Sequence, residues 1–132
     1  MNPKKIWANY GVSDLQRTTK FYTALGFKPN GSNNELTSFL FGQDDFVIHF
    51  FLKDILKANT KGEITDGQTG NEIVFTISAG SKSQVDEWAK EVEPAGGKVI
   101  SVPEEFGKGY YGFLFADPDG HRFNVFYMEG LE

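Results

Sequence analysis

The chain contains no cysteine, which excludes disulfides, thiolate metal sites and a cysteine nucleophile. Histidine is scarce too, with 2 residues in 132, His49 and His121. No apolar run approaches the length of a membrane-spanning helix, and Met1-Asn-Pro-Lys-Lys-Ile lacks the apolar stretch of a signal peptide. No cluster of Lys and Arg is interleaved with aromatics. With 13 basic against 18 acidic residues the formal charge is −5, and such a surface repels phosphate backbones. Nucleic acid and membrane are therefore not expected partners, and a cytoplasmic protein is expected.

What the chain has in excess is aromatic side chains. Phe occurs 13 times and aromatics make up 15% of the residues. That is more bulky apolar material than a small core needs, and the surplus suits a ligand cavity. The length fits one domain over residues 1–132, burying roughly two thirds of its unfolded surface.

The pattern along the chain repeats. Ile6–Val12 reads as a strand, and Ser13 as the cap of a helix running to Leu25, with Leu15, Thr18, Tyr22 and Leu25 on one stripe and Gly26 as its stop. Strands are expected around Phe27–Lys28 and over Leu36–Phe41 and Phe46–Leu52, the last two joined by Gly42-Gln-Asp-Asp45. Residues 53–70 turn polar, with one short amphipathic turn around Ile55–Leu56, and read as a linker or mobile lid. Glu72–Ser78 is again a strand. Ser81-Lys-Ser-Gln84 has capping-box spacing and opens a helix with Val85, Trp88, Ala89 and Val92 on one face, ended by Pro94 and Gly96-Gly97. Strands follow at Lys98–Val102, Tyr110–Ala116 and Arg122–Met128, with a loop at Pro103–Gly109. The last two strands are joined by Asp117-Pro-Asp-Gly120, the chemistry of a tight reversing turn. Both halves, about residues 5–52 and 71–129, thus read β-α-β-β-β, which duplication of one unit explains best.

Taken together, Val12-Ser-Asp-Leu15 and Phe21-Tyr22-Thr-Ala-Leu25-Gly26-Phe27 in the first unit, with the Val85–Trp88 helix, Ala95-Gly-Gly97 and Asp117-Pro-Asp-Gly120-His121 in the second, resemble the vicinal oxygen chelate superfamily. That superfamily includes glyoxalase I, fosfomycin- and bleomycin-resistance proteins and extradiol dioxygenases. Asn9-Tyr-Gly-Val-Ser-Asp14-Leu15 is similar to the opening of its bacterial glyoxalase-like branch. The resemblance implies an α+β fold in which two tandem βαβββ units form curled mixed sheets around a cavity, and a homodimer.

The resemblance also implies where a divalent metal would be held in metal-dependent members: at Trp7, His49, Glu72 and Asn124. Glu72 lies 65 positions after Trp7, and Asn124 lies 75 after His49. The chemistry at those positions is poor for a metal. An indole nitrogen only donates, and an amide oxygen is a weak ligand for a transition metal. His49 and Glu72 are the two strong donors, with Asn124 a weak third, so no metal or other cofactor is expected. The alternative is a metal-dependent lyase or dioxygenase using His49 and Glu72.

Read from the residues, His49 alternates with Ile48 and Phe50 and faces away from both. Beside Glu72 it would form an acid–base pair able to accept and return a proton, so these two are the candidate catalytic residues and metal-free catalysis is a further alternative. Trp7 and Asn9 share a face of the first strand, where an indole offers an apolar wall for a flat ligand. Tyr110 and Leu114 alternate in phase on the seventh strand, and Arg122 and Asn124 on the eighth, where Arg122 suits a carboxylate or oxyanion. His121 is out of phase with Asn124 and reads as structural. Phe113 and Phe115 are expected on the helix-packed side, with Phe21, Leu25 and Trp88 as core partners. The expected function is small-molecule binding of the glyoxalase or bleomycin-resistance type.

Overall fold

The structure is a computed structural model describing residues 1–130. It is α+β: two four-stranded mixed sheets, neither closed, with three helices. The chain divides into two compact units, Met1–Ile64 and Thr65–Glu132.

In the first unit the elements are β1 (Ala8–Val12), α1 (Leu15–Ala24), β2 (Lys28–Ser32), β3 (Leu36–Phe41), β4 (Phe46–Leu52) and α2 (Lys53–Thr60). The sheet order is β1-β4-β3-β2, with β1 parallel to β4 and the other neighbours antiparallel. Asp14, rather than Ser13, caps α1, its carboxylate accepting from the Arg17 N–H at 3.0 Å. Both residues suit an N-cap, and Asp14 is the one in extended backbone with its oxygen over the first turn. The helix packs on β3 and β4 and buries Thr18, Phe21 and Tyr22. Tyr22 stacks on Phe50, with ring centroids 4.6 Å apart. Phe21, expected beside Phe113 and Phe115, instead belongs to this first core.

The second unit holds β5 (Phe75–Ser78), α3 (Lys82–Ala95), β6 (Lys98–Glu105), β7 (Tyr110–Ala116) and β8 (Arg122–Met128). Its sheet order, β5-β8-β7-β6, repeats the first, again with one parallel pair. The Ser81 hydroxyl caps α3 by accepting from Gln84 N–H at 3.1 Å, and the Gln84 amide oxygen accepts from Gly80 N–H. The helix buries Val85 and Val92 and packs on β6, β7 and β8, whose facing residues Phe113, Phe115, Phe123 and Val125 are buried. Trp88 is only half-buried, and Pro94 lies inside the helix, which ends on the left-handed Gly96.

Further expectations are corrected. β1 begins at Ala8 and β5 at Phe75, so Trp7 and Glu72 both precede their strands. The segment read as linker or lid opens with α2, which buries Leu56 and packs on β1 and β4. β2 extends to Ser32. β6 runs through Pro103 to Glu105, into the expected loop, because an edge strand with register shifts tolerates a residue that lacks an N–H.

Candidate functional site

On the first unit's sheet, Ile48 and Phe50 are buried among the core rings, so alternation turns His49 to the other face. Register places Asn9 of β1 and Ser38 of β3 directly opposite it. Ser38 Oγ lies 2.8 Å from His49 Nδ1 and accepts from the Asn30 side-chain amide at 3.1 Å. The imidazole is flanked edge-on by Trp7 and Phe51, with ring centroids 6.3 and 6.0 Å away. Partial burial holds its pKa below the ordinary histidine value, so the ring is neutral at neutral pH. Nε2 has no hydrogen-bond partner among the described residues. If Nδ1 carries the proton toward Ser38, Nε2 presents a lone pair; if Ser38 donates, Nε2 presents N–H.

In the second unit, the face away from α3 is organised in rows across the strands. The middle row is Thr76–Asn124–Leu114–Ser101. One row along lie Ser78, Phe126, Gly112 and Glu104, and one row in the other direction Arg122, Ala116 and Lys98. An open cleft of about 440 Å³ sits over the middle row, lined by Thr76, Asn124, Leu114, Ser101, Glu104 and Phe106, among others. At its end Phe106, Tyr110 and Phe126 stack, with centroids 5.4–6.3 Å apart. Glu105 is held elsewhere by Lys82 at 2.6 Å, an exposed pair that lowers the carboxyl pKa and raises that of the amine. A larger open groove of about 710 Å³ beside α1 carries one ionisable residue, Lys20, and no acid–base pair.

Residues 6–125 match the family model described as the Glyoxalase/Bleomycin resistance protein/Dioxygenase superfamily. The chain belongs to that superfamily. No curated protein matches it. Among solved structures, it is similar to hypothetical protein SA1046 from S. aureus, at 28% identity and TM-score 0.84, over 96% of this chain and 95% of that one. A glyoxalase-related enzyme from Fulvimarina pelagi is 20% identical, with TM-score 0.83 over 95% and 88%. Lactoylglutathione lyase from Agrobacterium tumefaciens is 22% identical, with TM-score 0.72 over 99% and 100%. The last two likenesses show the shared superfamily fold alone.

Superfamily members that use a metal need several strong donors at one place, and the residues present do not fit that requirement. Among the described residues no group of three or more His, Cys, Asp or Glu side chains gathers where it could hold a metal ion. The row around His49 adds a hydroxyl and an amide, and the row around Asn124 adds two hydroxyls and a leucine. Register also alters the correspondence between the units. With His49 matched to Asn124, their parallel partners Asn9 and Thr76 correspond, 67 positions apart rather than 65. Trp7 then corresponds to Val74, and Glu72 to Lys5. Glu72 is exposed, three residues before the first rung of β5.

The other expected residues fall as follows. Leu114 and Asn124 lie side by side in the cleft, Tyr110 stacks at its end, and Arg122 is one row away, exposed. Trp7, Asn9 and His49 share the first unit's face. His121 is buried, with Nδ1 2.8 Å from the Asp117 carboxylate, which accordingly serves the turn. Ser101, Thr76, Phe126, Glu104 and Phe106 were not anticipated, Ser101 because its strand was read without a face. Phe126 is in phase with Asn124 on β8 and legible by alternation, Thr76 meets Asn124 through the β5–β8 register, and Glu104 and Phe106 lie in the stretch read as a loop.

Proposed function

We propose that this chain binds a small molecule carrying a planar or aromatic group, without a complete metal site of its own. The observation that carries the reading is the middle row of the cleft, Thr76–Asn124–Leu114–Ser101. Its amide and hydroxyls orient a ligand by hydrogen bonds, Leu114 and Phe106 supply apolar contact, and none of them is a strong metal donor. Trp7, 52% exposed beside His49, supports the same reading on the first unit's face. The whole chain acts as one domain and works as a homodimer in the cytoplasm; no described helix is long and apolar enough to cross a membrane.

The test is a panel of aromatic acids and amines titrated against amide chemical shifts. Binding in the cleft moves Thr76, Leu114 and Asn124 together, and Asn124→Leu weakens it. If no member of the panel shifts these amides, the reading fails.

A second reading, proton transfer by His49 in a bound ligand, rests on its neutral ring and open Nε2. It requires a mass change in the ligand that is lost in His49→Gln.

A further inference from the structure

We infer that the row Lys98–Ala116–Arg122 is the floor of an anion subsite, and that it takes the phosphate or carboxylate group of the ligand. Lys98 is paired in register with Ala116, and Ala116 with Arg122. The two cationic side chains therefore leave the same face of the sheet two strands apart, with about 10 Å between their Cα atoms. Ala116 between them is buried and too small to fill the gap. The result is a pocket of about 220 Å³, closed by Gly67, Gln68 and Gly97. That volume accepts an oxyanion head group and is below the roughly 300–1,000 Å³ of a site for a whole drug-sized molecule.

The two cations of this pocket are not held in ion pairs. Neither the Lys98 amine nor the Arg122 guanidinium has an acidic partner among the described residues. Asp117 also borders the pocket, but its carboxylate is turned into the hairpin. One oxygen accepts from the Asp119 and His121 N–H groups at 3.0 and 2.9 Å, and the other meets His121 Nδ1. In the last turn of α3 the Val92 and Glu93 carbonyls accept from Gly97 and Gly96 N–H. A lysine just past a helix C-terminus is favourable to the helix dipole in its own right. That accounts for Lys98 and not for an arginine on the far side of Ala116. On a chain of net charge −5, two unpaired cations on one face of the sheet, both lining one pocket, are what a small anion can recognise.

The walls of the pocket are held in place. Gly67 and Gly120 approach so closely that a Cβ on Gly67 would stand 2.6 Å from Asp119 O, and one on Gly120 2.5 Å from Gly67 C. Gln68 donates to Pro118 O at 3.0 Å, and Asn71 donates to Gly67 O and Gly120 O. Arg122 and Asn124 are two residues apart on one strand, about 6.6 Å, so a ligand in the cleft reaches the pocket with its anionic end. As a statement of ligand class the inference rests on the proposed cleft; as an anion site it stands without it.

The experiment is an amide chemical-shift titration with inorganic phosphate, and then with phenyl phosphate and phenol. Phosphate shifts Gly67, Gln68, Gly97 and Ala116 saturably, and Lys98→Gln or Arg122→Gln weakens it by roughly tenfold each. Lys98→Arg retains binding, and Lys90→Gln, on the exposed face of α3, leaves it unchanged. Phenyl phosphate adds shifts at Leu114 and Asn124 and binds more tightly than phosphate or phenol. Absence of a saturable phosphate shift, or its persistence in the Lys98→Gln/Arg122→Gln variant, overturns the site. A phosphate shift without any Leu114 or Asn124 response keeps the site and overturns its link to the cleft.

Discussion

The Trp7 indole stands edge-on to the His49 imidazole, ring centroids 6.3 Å apart at an interplanar angle of 66°. The pair couples a fluorophore to a titrating ring. Burial lowers the His49 pKa, so the ring is neutral at pH 7 and gains its charge only as pH falls below 6.5, the ordinary value. Indole emission should therefore change in a single step below that pH. His49→Gln removes the step, and Trp7→Phe removes the signal while leaving Trp88 emission flat. A step that survives His49→Gln contradicts the pairing.

The same shift makes a stability prediction. A histidine whose folded pKa lies below its unfolded value binds more protons unfolded than folded over that window. Stability is thus fully present above the unfolded pKa and is lost as pH falls toward the folded one. Urea unfolding at pH 7.5 and pH 5 should show the wild type losing more stability than His49→Gln. Equal losses would show that burial of the imidazole is not the cause.

Asn71 ties the segment before β5 to the β7–β8 turn. Its amide donates to Gly120 O at 2.9 Å and Gly67 O at 3.2 Å, and its oxygen accepts from Arg122 N–H at 3.2 Å. Asn71→Ala should cost about 1–3 kcal/mol in denaturant unfolding, because backbone groups lose their partners. Gly120→Ala should cost more, since the new Cβ meets backbone and the residue sits at φ +92°.

Trp7→Ala should weaken binding of a planar aromatic ligand to the first unit's face by about 1–3 kcal/mol, the scale of an exposed aromatic anchor. Isothermal titration with the tightest member of the aromatic panel measures it. An unchanged affinity would remove Trp7 from the ligand surface.

Strands β3, β4, β7 and β8 were legible because bulky apolar residues recur at every second position on the buried face: Phe39 and Phe41, Ile48 and Phe50, Phe113 and Phe115, Phe123 and Val125. The starts of β1 and β5 were not. Alternation reports where side chains point, not where a parallel partner begins to offer hydrogen bonds. Ile6 and Trp7 look like strand, yet the ladder starts at Ala8 opposite Ile48. The same misreading drew Glu72 into β5, whose ladder starts at Phe75 opposite Phe123. α2 shows in the sequence only as a turn at Ile55–Leu56, because Lys53–Thr60 is polar around a single buried Leu56 and has no capping side chain. Leu114 followed from period two, and Asn124 from the resemblance, with alternation placing Arg122 on its face. Glu104 and Phe106 lie on or just beyond a bulged edge strand that Pro103 disguised as a loop.

The account rests on a ligand surface built from amide, hydroxyl and aromatic groups in place of a set of metal donors, and elemental analysis tests this most directly. Protein purified without chelator and exposed to zinc, nickel, iron and manganese should retain none of them in stoichiometric amount after gel filtration. Retention of about one metal ion per chain, lost in His49→Ala, would contradict the account and make this chain a metal-dependent member of its superfamily.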